Sequence, residues 1–379
     1  MKVGIVTSFP DDPGAPHGGV EAVSVHLVRA LAQFDDLDVH VVTAGRSCSS
    51  ATTERWERVT LHRLPWAGGS VLRNATGAGR RQMQAYLREL KPDVIHAHDT
   101  YGLMVTGVKV PHVFTIHGFI HVDTALRGGV CSMVRSTLWR WVETRGWAKQ
   151  PNIISISPYV RDRLTGIARG AIYAIDNPVS DTFYHVDRNE CKGVIFSAAC
   201  ISRLKNPLAL LKALACLREE GCEAELHLAG TCQDADYEKC LVAFIREHDL
   251  SSKVKSLGSL TAPQIHEELS CASIFALTSL HENAPLSIAE AMAVGMPVVT
   301  SNRCGMPYMV RHGESGFLVD PNDPHDIARR LRQLLESDEL RRSMGAKGKE
   351  IALDRFHPAK VAARTREVYL QAMEDFHRK

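Results

Sequence analysis

Ser279-Leu-His-Glu282-Asn-Ala-Pro-Leu-Ser-Ile-Ala-Glu290-Ala-Met-Ala-Val-Gly-Met-Pro-Val-Val-Thr300 is the stretch from which the fold can be read. Pro285 suits the first turn of a helix, where a missing N–H costs nothing. Gly295 is the natural stop, since it takes a left-handed backbone without a Cβ clash. The apolar run Pro297 to Thr300 then reads as a buried strand of a parallel sheet. Two carboxylates, Glu282 and Glu290, stand eight positions apart, one before the helix and one inside it. Two acids at a helix entrance above a parallel sheet can hold the hydroxyls of a sugar, and the adjacent helix amides can hold an anion.

The same alternation of short apolar runs and helical stretches extends in both directions, which predicts an α/β fold built from parallel βαβ units. Strands are expected at Val3–Thr7, Val39–Thr43, Val59–Leu64, Val94–His98, Val113–His117 and Ile153–Ile156. Glu21–Phe34 carries Val23, Leu27, Leu31 and Phe34 at helical spacing. A second series of strands begins near Gly193: Val194–Ala198, Glu225–Ala229, Val254–Leu257, Ile274–Leu277, Val298–Thr300 and Phe317–Val319. The polar stretch 177–192 separates the two series and reads as a linker. This divides the chain into a Rossmann-like domain over 1–176, a second over 193–357, and a helix over 358–379 that returns to the first domain. In that helix Val361, Thr365, Val368, Tyr369, Ala372 and Phe376 form one stripe.

Composition narrows the function. A chain of 379 residues exceeds the usual size of a single core. A net charge of +2 gives no electrostatic case for nucleic acid. The ten cysteines include no Cys-x-x-Cys pair and read as reduced thiols. The first residues hold too short an apolar run for a signal peptide, and no run approaches the ~20 residues of a membrane span. A cytoplasmic protein is therefore expected, with a peripheral contact at the inner face of the membrane left open.

Several motifs carry chemistry. Pro16-His-Gly-Gly-Val-Glu21 joins the first strand to the first helix, and the Gly18-Gly19 pair would let backbone amides approach a phosphate or sugar. A plain turn would look the same. No Walker-type loop and no Gly-x-Gly-x-x-Gly follows the first strand, which counts against a P-loop kinase and a dinucleotide oxidoreductase. Asp93-Val-Ile-His96-Ala-His98-Asp99 puts His96 and His98 on one face of a strand. A hydrogen-bonded cluster is the plainer reading there, and a metal site the rarer one. Phe114-Thr-Ile-His117-Gly118 places another histidine at the carboxyl end of a strand, where open α/β sheets bind ligands. Ser202-Arg203-Leu-Lys205-Asn-Pro sets two cations after the first strand of the second series, suited to a diphosphate. Arg127–Lys149 mixes Arg135, Arg140, Arg145 and Lys149 with Trp139, Trp141 and Trp147. Such a helix can lie on an anionic membrane. Val130, Val134 and Trp141 also form a stripe that would face a core, and packing is the favoured expectation.

Taken in order, these segments resemble the retaining glycosyltransferases of glycosyltransferase family 4. The resemblance runs through His17-Gly-Gly-Val-Glu21, Val-Ile-His96-Ala-His98, Phe-Thr-Ile-His117-Gly118, Ile175-Asp-Asn177-Pro-Val and Ser202-Arg203-Leu-Lys205. It ends with Glu282-x7-Glu290-Ala-Met-Ala-x-Gly-x-Pro-Val-Val and Gly313-Glu-Ser-Gly316-Phe-Leu-Val-Asp-Pro321. It implies the GT-B fold, two Rossmann-like doubly wound domains facing a central cleft. It implies transfer of a sugar, with retention, from a nucleotide-sugar donor (a UDP- or GDP-sugar foremost) to a saccharide, lipid-linked or small-molecule acceptor. No cofactor and no metal are expected, because Arg203 and Lys205 would neutralise the diphosphate. Gly18 and Gly19 would approach that diphosphate from the first domain. Glu282 would hold the donor sugar and Glu290 the ribose, with Asn283, Ala284, Pro285, Leu286 and Ser287 lining the same site. His117 would sit over the donor sugar, and Glu21 and His98 beside it on the acceptor side.

Three departures stand out. Arg203 and Lys205 are two positions apart where the family usually spaces them by about five. Asn283-Ala284-Pro285 replaces a frequent Gly-Phe-Gly, and Tyr308 stands where Glu is common. A GT-B nucleotide-sugar epimerase and a catalytically silent nucleotide-sugar-binding subunit stay open as alternatives.

Overall fold

The computed structural model describes residues 1–129 and 131–378. Val130, placed above in the stripe of the tryptophan helix, and Lys379, the end of the predicted last helix, lie outside the described residues. The chain divides into two compact units, one of Met1–Pro178 with Pro358–Lys379 and one of Val179–His357.

The first unit is built on eight strands: β1 (Lys2–Val6), β2 (Asp38–Gly45), β3 (Thr52–Trp56), β4 (Val59–Pro65), β5 (Val94–His98), β6 (His112–Ile116), β7 (Asn152–Ser155) and β8 (Ala171–Ala174). They lie in the order β3-β4-β2-β1-β5-β6-β7-β8. All neighbours are parallel except β3, which runs antiparallel to β4. The second unit has six strands, β9 (Val194–Ala198), β10 (Glu225–Ala229), β11 (Val254–Gly258), β12 (Ile274–Leu277), β13 (Val298–Ser301) and β14 (Gly316–Val319). Their order is β11-β10-β9-β12-β13-β14, parallel throughout. The central strands are apolar runs because helices cover both faces, as in any doubly wound sheet.

β3 and β8 escape the apolar-run criterion for a physical reason. Their residues are mostly exposed, so backbone pairing at the sheet edge, not burial, holds them. In each unit the strand order reverses at one point, between β1 and β5 and between β9 and β12. Crevices for ligands open at the carboxyl ends of such strands.

The linker reading of 177–192 is corrected. Val179, Phe183 and Tyr184 are buried in the core of the second unit, the latter two on a short 3₁₀ helix, Asp181–His185. Tyr184 donates its hydroxyl to the Ala352 carbonyl at 3.0 Å. Arg188 donates to the Leu269 and Ala272 carbonyls at 2.6 and 2.7 Å. Polar composition hid three apolar anchors that make the segment part of a fold.

The helix Pro358–His377 belongs to the first unit, where Val361, Ala362, Val368, Tyr369 and Ala372 join its core. Phe376, the last member of the expected stripe, is exposed. The stripe predicted for the tryptophan helix also fails. In Ser132–Trp147 the buried residues are Glu143, Gly146 and Trp147, whereas Val134 is 70% and Trp141 53% exposed.

Burial sets a pH limit on the first unit. Desolvation lowers His26 and His62 to about 4 and His96 to about 3, and holds His98 well below the ordinary histidine value. The unfolded chain takes up these protons near pH 6.5 and the folded unit does not. Stability is therefore complete above pH 6.5 and falls as the pH drops, by up to about 1.4 kcal/mol per pH unit for each histidine. Hydrogen exchange followed at pH 7 and pH 5 should show the first unit losing protection before the second. Equal loss in both units would refute this assignment.

Candidate active site

In the second unit the two strands flanking the switch point each feed a loop that carries a charge. β9 leads into Ser202–Asn206, and β12 into Thr278–Pro285. Backbone and side-chain bonds hold the loops. Leu280 donates its amide to the Leu204 carbonyl at 2.8 Å, and the Thr278 hydroxyl donates to the Asn206 carbonyl at 3.0 Å. The Asn206 amide donates to the Ser202 carbonyl at 3.0 Å, and the Asn206 side chain to the Pro321 carbonyl at 2.9 Å. Asn206 takes the left-handed conformation, φ 53°, that lets the helix Pro207–Glu219 begin there.

This stitching brings Lys205 Nζ onto Glu282 Oε1 as an ion pair. The two side chains are only 25% and 15% exposed. Ser279 Oγ lies 3.3 Å from the same carboxylate oxygen. The backbone on the far side of Glu282 rests on Gly305, whose amide donates to the Glu282 carbonyl at 2.8 Å. A Cβ at Gly305 would come within 1.7 Å of the Asn283 carbonyl oxygen, so no larger residue fits beneath this loop.

Helix Leu286–Val294 follows, with Pro285 as its N-cap and Gly295, at φ 89°, as its stop. Pro285 thus stands one position before the first turn, where its absent amide costs the helix nothing. Asn283 and Pro285 are buried, and Ala284 and Leu286 pack on the core, leaving Ser287 half-buried in the first turn. Glu290 sits half-buried in the middle of the helix. Desolvation alone pushes its carboxyl up to about 7. A carboxyl so placed gains from any ligand that donates hydrogen bonds to its charged form.

Arg203 is not part of this cluster. Its guanidinium lies 3.4 Å from Asp234 and 4.8 Å from the centre of the Tyr237 ring, and its side chain is 65% exposed. With a spacing of two from Lys205, its side chain is directed to the neighbouring helix. Tyr308 is exposed on the 3₁₀ helix Met306–Tyr308.

In the first unit the loop after β1 carries Gly18 and Gly19 at the start of helix Gly19–Leu31. Gly18 has φ 98°, a conformation that favours glycine. Apart from their own chain neighbours and the backbone of the helix they begin, no atom of the described residues lies within 4 Å of a Cβ built on Gly18 or Gly19. The space beside both is open, as close approach by a ligand requires. Glu21 accepts from the His17 amide at 2.8 Å and lies 3.3 Å from Ser8 Oγ. A groove of about 550 Å³ runs past Ser8, His17, Glu21, Thr43, Ser47 and Arg63.

β5 and β6 carry the histidines. His98 Nδ1 lies 3.1 Å from His117 Nε2. His96, stacked edge-on to His98 with ring centres 4.5 Å apart, bonds the Tyr369 hydroxyl and the Thr115 hydroxyl, both at 2.7 Å. Asp99 accepts from the His117 and Gly118 amides at 2.8 and 3.3 Å, fixing the turn that presents His117. Desolvation lowers His117, against the raising effects of Asp99 and Asn177. The trio is therefore a neutral hydrogen-bonding stack. Among the described residues no group of three or more His, Cys, Asp or Glu side chains is placed to hold a metal ion.

Sequence reasoning overlooked four positioning residues. Asp99 ended a quoted motif but received no role. Ser279 and Gly305 carried no signal beyond their neighbourhood. Tyr369 lies 273 positions from its partner His96 and could not be paired with it by any local pattern.

Two family descriptions match the chain almost end to end. "Glycosyltransferase Family 4" covers residues 17–183, and "Glycosyl transferases group 1" covers residues 183–351. The chain belongs to glycosyltransferase family 4. An uncharacterized glycosyltransferase of Methanocaldococcus jannaschii is 22% identical over 360 residues, 92% of this chain and 94% of that protein. Among solved structures, sucrose-phosphate synthase from Thermosynechococcus elongatus superposes with a TM-score of 0.82 at 19% identity, covering 99% of this chain and all of that one. Anabaena HepE, in complex with UDP and glucose, superposes with a TM-score of 0.73 at 18% identity, covering 97% and 99%. This family 4 glycosyltransferase therefore has the GT-B fold. Its Lys205–Glu282 pair and Glu290 stand at the switch point of the second sheet, and its histidine stack at that of the first.

Proposed function

We propose that this glycosyltransferase moves a sugar from a nucleotide diphosphate sugar, a UDP- or GDP-sugar foremost, to a saccharide, lipid-linked or small-molecule acceptor, with retention at the anomeric carbon. The observation that carries the reading is the Lys205–Glu282 pair at the β9/β12 crevice, with Glu290 in the helix that follows. Lys205 is a desolvated cation that can turn from a carboxylate to a phosphate. Glu282 is then released to accept from sugar hydroxyls, and Glu290 from the ribose. The complex of HepE with UDP and glucose supports a donor of this class.

In the proposed reaction the bond from the anomeric carbon to the diphosphate oxygen breaks, and a bond to the acceptor oxygen forms on the same face. The acceptor proton passes to the departing phosphate oxygen, so no protein nucleophile is needed. The chain's work is to stabilise the negative charge developing on the diphosphate and to position the acceptor. His117, Glu21, His98 and the open flank of Gly18-Gly19 are the first unit's proposed contribution. Metal is dispensable in this scheme, because Lys205 supplies the charge.

Thermal shift with UDP-, GDP-, ADP- and TDP-sugars should raise the melting temperature for the cognate donor, by mass action. Transfer to an acceptor panel, with the anomer assigned by NMR, then tests the stereochemistry. If no nucleotide sugar binds and none is transferred or slowly hydrolysed, the reading fails. Inverted product would remove the front-face scheme.

Arg203 gives a graded test. Held on Asp234 and Tyr237 near the surface, it contributes to the diphosphate only at longer range. Arg203→Ala is expected to lower kcat/KM by no more than about tenfold, the scale of a screened charge. A loss as large as that of Lys205→Ala would show that the guanidinium turns into the crevice on binding.

A further inference from the structure

The helix Ser132–Trp147 carries a surface that the proposed reaction does not use. Met133, Val134, Leu138 and Trp141 are 71%, 70%, 47% and 53% exposed, and Leu126 on the preceding helix, Ile120–Arg127, is 49% exposed. At 100° per residue the four side chains of the longer helix share one arc of about 140°. Large apolar side chains gathered this way on a surface mark an interaction site.

The charges around the arc are of one sign. Arg135, Arg140, Arg145 and Lys149 are all exposed. On the helical wheel Arg140 borders one side of the arc, Arg145 falls within it between Val134 and Leu138, and Arg135 lies beyond the other side; Lys149 follows just after the helix end. The Arg145 guanidinium lies 3.9 Å from the centre of the Trp141 ring. The single acid of the helix, Glu143, is turned inward. It accepts from the Ile120 and His121 amides at 2.9 and 3.0 Å and bonds the His121 ring at 2.7 Å. Asp123 is the only other carboxylate on the two helices. Beside the arc, a groove of about 360 Å³ is lined by Val122, Ala125, Leu126, Arg140 and Arg163, with apolar walls and two cations.

We infer that this face seats the protein on an anionic lipid surface. An apolar arc with tryptophan, flanked by arginine and lysine, is the pattern of a helix lying in a membrane interface. Arginines bordering the arc suit lipid phosphates, and the stems of Arg and Lys extend the apolar area. A second copy of this chain is the poorer occupant, because it would bring the same cations face to face. Among the described residues no helix is long and apolar enough to cross a membrane. The inference does not depend on the proposed transfer reaction, and its test does not measure activity.

The full chain is mixed with vesicles of phosphatidylcholine alone, or of phosphatidylcholine with phosphatidylglycerol, and sedimented. Binding is expected only to the vesicles containing phosphatidylglycerol, weakening as salt screens the charges. Arg135→Gln with Arg140→Gln and Arg145→Gln should reduce partitioning about a hundredfold, since each cation near such a surface contributes roughly a factor of five. Met133→Ser, Val134→Ser, Leu138→Ser and Trp141→Ser together should reduce it at least about tenfold. All seven positions are exposed, so circular dichroism should be unchanged. Failure to bind, equal binding to neutral vesicles, or binding indifferent to both variants would overturn the inference. So would a dimer, seen by sedimentation velocity, that the same substitutions disperse.

Discussion

Lys205→Ala is expected to lower kcat/KM for transfer about 10²–10³-fold while leaving the fold intact, the loss typical of removing one preorganised electrostatic group. The physical basis is the pair with Glu282. Both side chains are mostly shielded from water, so charge at this point acts through a lower effective dielectric than on the surface. Removing the ammonium acts twice. Under the proposed reading the departing diphosphate loses a cation, and Glu282 becomes a shielded carboxylate without its counter-ion. Glu282→Gln in the Lys205→Ala background should therefore cost less than it does alone, because the two residues act as a unit. Lys205→Arg should not restore full activity, since a planar fork is not a compact ammonium. Steady-state kinetics on the parent and the four variants, with melting curves to confirm folding, tests this. Activity of Lys205→Ala within twofold of the parent would remove Lys205 from the site.

What could be read in advance was what is local. The segment from Ile274 to Thr300 contains its own strand, its loop, a helix with a proline at its start and a glycine at its end, and the next strand. Every signal for it lies within a few residues of its effect, and strand and helix edges fell within one or two positions. The central strands were legible for the same reason, since burial on both faces writes continuous apolar runs.

What was not legible shares the opposite cause. Arg203 was read as a second phosphate cation because it follows β9. Its direction is decided by Asp234 and Tyr237, some thirty residues on. The tryptophan helix was read as core-facing because its apolar spacing is helical, but spacing does not say whether a partner exists. The segment 177–192 was read as a spacer from its polar average, while three apolar residues decided its place. Edge strands β3 and β8 left no apolar trace. The histidine stack was half legible. Alternation put His96 and His98 on one face of β5, but the bond from His96 to Tyr369 closes a loop of 273 residues.

Glu290 should couple donor binding to proton release. In the free protein its carboxyl is pushed up to about 7 by desolvation, against 4.5 for an ordinary glutamate. Between about pH 4.5 and 7 the folded chain keeps a proton that the unfolded chain has released. Stability must therefore fall as pH rises through that window and level off above about 7. At one pKa unit to about 1.4 kcal/mol, the cost at pH 8 is on the order of 3 kcal/mol. Glu290→Gln, which keeps shape and removes the charge, should melt several degrees higher than the parent at pH 8 and together with it near pH 4.5. Under the proposed reading, ribose hydroxyls donate to this carboxylate and favour its charged form, so donor binding near pH 6.5 should expel a proton. Calorimetry in buffers of different ionisation enthalpy measures that proton directly. In Glu290→Gln the release should vanish and donor affinity should fall about 10–100-fold, the worth of hydrogen bonds to a charged acceptor. A stabilised variant with undiminished donor affinity would leave Glu290 as a half-buried acid with no part in the site. A variant that is more stable, binds weakly and releases no proton would show that this helix sacrifices stability to hold a carboxylate where the donor needs one.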